Sequence, residues 1–196
     1  MSQRLNIYIS VTLHSKLSFN YYIDATCKKA NSVLSFIRRN LRHCQRRVKT
    51  DAYNSFVKPI LNYAAPVWTP HADYYINKLE AIQKRAARFI MSDYRRSSSV
   101  TAMLNQLKWR PVEIQHRELR LLMFYKIINR LVELLAPEYI IPAPRVTRGN
   151  SMKFVQPTMH IDPYKYSFFP NTISQWNKLP LEIANTVDLN DFKNLL

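Results

Sequence analysis

Gly149 is the only glycine in this 196-residue chain, where average usage of about 7% would supply roughly fourteen. Loops that cradle phosphates in nucleotide-dependent enzymes need several glycines at short spacing, because the backbone must approach the ligand without a Cβ in the way. One glycine therefore excludes a P-loop and a dinucleotide-binding turn. Cysteine is nearly as scarce: Cys27 and Cys44 are the only two, too few for a zinc site built on cysteine pairs. Free, packed thiols fit a reducing compartment. No uncharged apolar run is long enough to span a bilayer, and "MSQRLNIYIS" lacks the basic-then-apolar order of a secretory leader. These absences point to an intracellular chain that is not secreted and has no transmembrane segment.

Acidic residues are the next shortage. There are 13 Asp and Glu against 29 Lys and Arg, for a formal net charge of +16. No two acids are adjacent, and Asp24, Asp51, Asp73 and Asp93 are scattered. Two-metal polymerases and nucleases need clustered carboxylates to share ions. The five histidines, His14, His43, His71, His116 and His160, are equally dispersed. His43 abuts Cys44, whereas zinc ligands are usually separated by two or more residues. No catalytic residue, metal site or cofactor of this chain follows from its residues.

What is abundant is positive charge at recurring positions. Lys28, Lys29, Arg38, Arg39, Arg42, Arg46, Arg47, Lys49, Arg95 and Arg96 fall in clusters, and no acid occurs from Lys28 to Lys49. A solvated face ordinarily carries acidic partners three or four residues away. Unpaired like charges along a helix repel one another unless an anion offsets them, so phosphate contact is the reading favoured for this stretch.

Hydrophobic spacing organises the chain around these clusters. Residues 5–13, "LNIYISVTL", alternate with period two and read as a half-buried strand, whose partners must come from elsewhere. Ile23, Cys27, Ala30, Leu34, Ile37 and Leu41 then recur at steps of four and three, one stripe of a helix. Lys28, Arg39 and Arg42 lie within about 60° of each other on the side away from that stripe. A second helix is expected over Val48–Val57, kinked or ended by Pro59. A third over Tyr75–Met91 buries Ile76, Leu79, Ala86, Phe89 and Ile90, with Lys84, Arg85 and Arg88 on its outer arc. Serines of the basic loop "SDYRRSSS" are placed to cap a short helix through Leu107. Pro111 opens a further helix with Leu119, Leu122, Met123 and Ile127 on one side. The tail is irregular, rich in proline and rings, and closes on a helix capped by Asp188. Within it, Tyr166, Phe168, Phe169 and Trp176 in "YSFFPNTISQWNKLP" suit a base-stacking platform or a core plug. The spacing of Phe169, Ile173, Trp176 and Leu179 favours a short helix pinned into a core. The fold expected is mainly α: residues 1–15 a residual strand, 16–135 a helical nucleic-acid-binding body, and 136–196 an aromatic-rich segment.

Taken together, "KLSFNYYIDATCKKANSVLSFIRRNLRHC", "AYNSFVKPILNYAAPVW", "INKLEAIQKRAARFI", "DYRRSSSVTAML", "RGN", "YKYSFFPNTISQWNKLP" and "LNDFKNL" resemble, in order, the end of a reverse transcriptase of LINE-type, jockey-like non-LTR retrotransposons, a class of transposable element. The resemblance spans about Leu5 to the terminus. It implies the thumb and downstream region of an RNA-directed DNA polymerase, whose fingers, palm and Mg2+-binding aspartates lie in a preceding part of the protein. Tyr8, Ile9, Ser10 and Val11 match the primer-proximal strand of that family, with Ser10 where glycine is usual and His14 where aspartate is common. The helices correspond to a thumb gripping template and primer, so the implied partners are RNA, an RNA/DNA hybrid or DNA in a ribonucleoprotein, together with the parent palm and fingers. No polymerisation is expected from this chain alone. The alternatives are a host-recruited basic helical nucleic-acid-binding module and a protein- or membrane-surface adaptor using the rings of the tail.

Overall fold

A computed structural model describes residues 5–8, 11–14, 18–134, 140–144, 153–158 and 161–196. It is mainly helical, with two short strands at the N-terminal end and an isolated bridge between Pro142 and Phe154. Two strands, β1 (Leu5–Tyr8) and β2 (Val11–His14), pair antiparallel in the register Leu5↔His14 through Tyr8↔Val11. The alternating run is thus divided and takes its hydrogen-bond partner from within itself, so no external strand is needed to pair it. Of the primer-proximal residues, Ile9 and Ser10 lie outside the described residues, while Val11 is buried.

Helix α1 (Asn20–Asn40) buries Ile23, Cys27, Ala30, Leu34 and Ile37, the stripe expected from their spacing. Ser18 Oγ accepts from the Asn20 N–H at 3.2 Å at its start. Burial pushes the Cys27 thiol up to about 11, which suits an inert packed thiol. Helix α2 (Arg46–Ala52) leads through a π-helical segment, Tyr53–Val57, into α3 (Lys58–Asn62). Pro59 therefore does not end the run. It has no N–H to give and its ring crowds the preceding turn. The chain accommodates it with one wider turn, in which the Lys58 N–H reaches the Tyr53 carbonyl five residues back.

"YAAPVWTP" folds as a left-handed Ala64 (φ 50°) followed by a single turn, α4 (Ala65–Trp68). Trp68 is fully buried and its indole N–H donates to the Tyr63 carbonyl at 2.7 Å. The long helix α5 (Asp73–Met91) packs against α1 and buries Leu79, Ile82, Ala86, Phe89 and Ile90, while Ile76 is half-buried. Ser99 caps α6 (Val100–Gln106), accepting from the Ala102 N–H. Glu80, buried on α5, accepts from the Glu113 N–H at 3.1 Å and so caps the start of α7 (Val112–Ile128) from a neighbouring helix. His116 is a core histidine: its Nε2 is 3.0 Å from the Leu61 carbonyl oxygen, and its ring meets Trp68 edge-on.

The chain divides into two compact units, residues 1–116 and 117–196. Helix α7 runs from the first unit into the second, where its later residues belong to an aromatic core. Leu121, Phe124 and Tyr125 are buried there, and Ile127 too, whereas Leu119, Leu122 and Met123 are only half-buried. The face expected to point inward was therefore mostly the neighbouring one. Apolar residues occur on every side of α7, so its own periodicity does not choose a stripe. The choice falls to the rings it meets. Trp176 comes from α9 (Phe168–Trp176), which follows the single turn α8 (Asp162–Lys165). After the single turn α10 (Leu181–Ala184), Phe192 comes from α11 (Leu189–Leu195), whose N-terminus Asp188 caps by accepting from Asn190 and Asp191. Trp176 lies 5.2 Å from Phe124 and 5.6 Å from Phe192, and Tyr125 stacks on Phe192 at 4.3 Å. Each such ring contributes about 1.5–3 kcal/mol by leaving water.

Candidate nucleic-acid interface

Four basic residues, Arg38, Arg39, Arg42 and Lys49, converge in one place, where α1 and α5 end and α2 begins. Helix α1 stops at Asn40, and the Leu41 N–H closes its last turn on the Ile37 carbonyl. Arg38 and Arg39 occupy that turn, where cations complement the helix dipole. Helix α5 stops at Ser92, which adopts a left-handed conformation (φ 53°, ψ 30°) and turns the chain sharply. That turn carries Tyr94 back against α1, with the Arg38 guanidinium 5.7 Å from the centre of its ring.

Between these ends lies a cleft of about 820 Å3. Arg38, Arg39, Arg42, His43 and Lys49 line it, with Ser35, Phe89, Ser92 and Tyr94 completing the wall. Four formal positive charges thus face one cavity that no acidic side chain lines. Lys49 forms the floor: it is 4% exposed, its ammonium donates to Ser92 Oγ at 2.9 Å, and it sits 5.0 Å from the centre of the Phe89 ring. Burying an ammonium costs several kcal/mol unless an anion or several acceptors offset it. A hydroxyl and an aromatic face offset only part of that cost. Such a cavity can attract an anion, since its arginines and lysine offer charged hydrogen-bond donors.

Arg38, Arg39 and Arg42 are thus brought together. The remaining basic residues singled out in the sequence do not line the cleft. Lys28 and Lys29 are exposed farther back on α1. Lys28 shares the side of Arg39, about 16 Å away by helical rise. Arg46 and Arg47 are exposed on α2, and Arg47 faces Asp51 at 3.9 Å. Lys84 and Arg85 are exposed on α5.

Arg95 is occupied within the chain. Its Nη2 lies 3.0 Å from Asp93 Oδ2, and its carbonyl accepts from Arg88 Nη1 at 3.1 Å. The Arg95 hydrogen bonds, with one from Ser98, hold the Asp93 carboxyl well below the usual carboxylate range. Arg96 is exposed beside them.

Reading the sequence by its cation clusters missed His43, Ser35, Ser92 and Tyr94 and did not place Lys49 in the interior. The available signal was Tyr94 itself, an aromatic residue set among the basic residues of "DYRRSSS".

The aromatic segment forms interior rather than platform around Trp176, which is fully buried. Phe168 and Phe169 are partly buried, pack against that cluster and meet edge-on at 5.1 Å. Tyr166 contributes its carbonyl, which accepts from Nη2 of the buried Arg120 at 3.2 Å. Burial pushes the Arg120 guanidinium down to about 10.

Among the described residues no group of three or more His, Cys, Asp and Glu side chains is placed to hold a metal ion. Among them, too, no helix is long and apolar enough to cross a membrane. No protein-family model, no curated protein and no solved structure matches the chain.

Proposed function

We propose that this chain binds the sugar–phosphate backbone of nucleic acid, as RNA, an RNA/DNA hybrid or DNA, without reading sequence. One observation carries the reading: Arg38, Arg39, Arg42 and the buried Lys49 line a single cleft that contains no acid. Cations held close together without carboxylates repel one another, and a string of phosphates relieves that repulsion while releasing its own counterions. The order of motifs that resembles a LINE-type reverse transcriptase fits the same chemistry, because a thumb holds template and primer by the backbone. In this proposal the chain is the thumb and downstream part of such a polymerase. The Mg2+-binding aspartates, and polymerisation itself, belong to a palm outside this sequence. The natural setting is then a ribonucleoprotein that moves between cytoplasm and nucleus.

The test is the salt dependence of binding, followed by fluorescence anisotropy with a labelled RNA/DNA hybrid. Each phosphate contact contributes about 0.7–0.9 to the slope of log K against log salt. Charge reversal at Arg38, Arg39 and Arg42 together should flatten that slope by about two to three. An unchanged slope removes the cleft from the binding surface, and failure of both the hybrid and a single strand to bind at low salt ends the proposal.

A further inference from the structure

We infer that the cleft itself seats an unpaired strand, with one phosphate drawn down toward Lys49 and a base stacked on Tyr94. The inference rests on the backbone-binding proposal above and names the form of nucleic acid that enters this site.

Size is the first argument. A cavity of about 820 Å3 is in the range that encloses a small organic ligand, about 300–1,000 Å3. It admits a short run of a single strand. A base-paired helix displays its phosphates along two strands, separated in B-form by a groove about 12 Å wide, and can only lie across the rim. The deepest cation, Lys49, is 4% exposed at the floor beside Ser92 Oγ. A flexible single strand can bend toward it more readily than the stiff backbone of a duplex.

The second argument is the ring. Tyr94 is 55% exposed at the edge of the cleft, and a guanidinium already lies over it at 5.7 Å. A large exposed aromatic gains little by folding there, but it offers a face to a base. An electropositive groove with a stacking ring beside it is the general arrangement for single-stranded nucleic acid, where stacking tolerates any base. In base-paired helices the faces are already stacked on their neighbours, and Tyr94 has nothing to meet except at an end.

The two parts divide the labour. Arg38, Arg39 and Arg42 hold successive phosphates along the wall, Lys49 and Ser92 receive one at the floor, and Tyr94 holds the base attached to it.

The experiment compares an end-labelled oligouridylate of about a dozen nucleotides, a length one groove engages, with an RNA/DNA hybrid of similar length closed by hairpin caps. Both are titrated against the full chain at one fixed salt concentration. The single strand is expected to bind at least several-fold more tightly. Tyr94→Ala should weaken it by roughly five- to hundredfold, the range for one lost base stack, and should leave the capped hybrid unchanged. Tyr94→Phe keeps the ring and should retain binding. Tyr94 is exposed, so these variants leave the core untouched. Equal or tighter binding of the capped hybrid, or a Tyr94→Ala protein that binds the single strand normally, overturns the unpaired-strand assignment and leaves backbone binding standing. Failure of both probes to bind sinks the backbone proposal itself.

Discussion

Lys49 Nζ donates to Ser92 Oγ at 2.9 Å across 43 residues of sequence. The bond joins the first turns of α2 to the last residue of the turn that ends α5. It ties the two sides of the cleft together, and it holds the Lys49 ammonium at the cleft wall beside the exposed Ser92. A lysine kept in such a place contributes little to stability that an apolar side chain of similar length does not. Lys49→Met should therefore leave the thermal midpoint unchanged or slightly raised, since exchanging a buried charge for a hydrophobe of similar volume is often neutral or favourable. The same variant should lower the salt slope of nucleic-acid binding by about one. A marked loss of stability with unaltered binding would make Lys49 a purely structural residue.

Asp93 and Glu80 act in opposite directions on stability, and pH separates them. Asp93 is depressed by the Arg95 hydrogen bonds. Its contribution is present above the ordinary Asp value of about 3.9 and is lost as pH falls through that range and below. Glu80 is raised by burial, against hydrogen bonds from the Glu113 and Val112 N–H groups. Its contribution is complete below the ordinary Glu value of about 4.3 and is lost as pH rises through the raised value. Thermal unfolding over a pH series checks both signs. Asp93→Asn should gain on the parent chain as pH falls below about 4, and Glu80→Gln should gain on it as pH rises from about 4 toward neutrality. Parallel curves for either variant would contradict its assigned linkage.

Among the described residues, Ala64, Ser92, Lys108 and Arg130 adopt positive φ between 50° and 54°. Glycine takes this conformation without a Cβ penalty, and other residues pay about 1–2 kcal/mol for it. Lys108→Gly should stabilise the first unit and Arg130→Gly the second, each by about 0.5–1 kcal/mol once the greater entropy of unfolded glycine is subtracted. Calorimetry should show the corresponding unfolding transition rising by a few degrees. A falling midpoint would mean that the side chain at that site contributes more than its backbone strain costs. Ser92 is a poorer choice for the exchange, because its hydroxyl accepts from Lys49.

The legible features of this protein were those decided by near neighbours in the chain. The burial of Ile23, Cys27, Ala30, Leu34 and Ile37 follows from helical spacing alone, and the caps at Ser99 and Asp188 from a side chain and N–H groups two or three residues on. The excess of cations and the absence of acids from Lys28 to Lys49 are likewise properties of the sequence. The turns were illegible for a specific reason: a chain with one glycine makes its left-handed turns with alanine, serine, lysine and arginine, which carry no such signal. Tertiary structure alone decided which face of α7 is buried, since that depends on Trp176 and Phe192 and not on the helix. It also decided that Arg95 faces Asp93 while Arg38 faces Tyr94, and that Lys49 lies at the floor of a cleft. Periodicity tells a residue which way to point from its own helix. Only packing tells it what is there when it arrives.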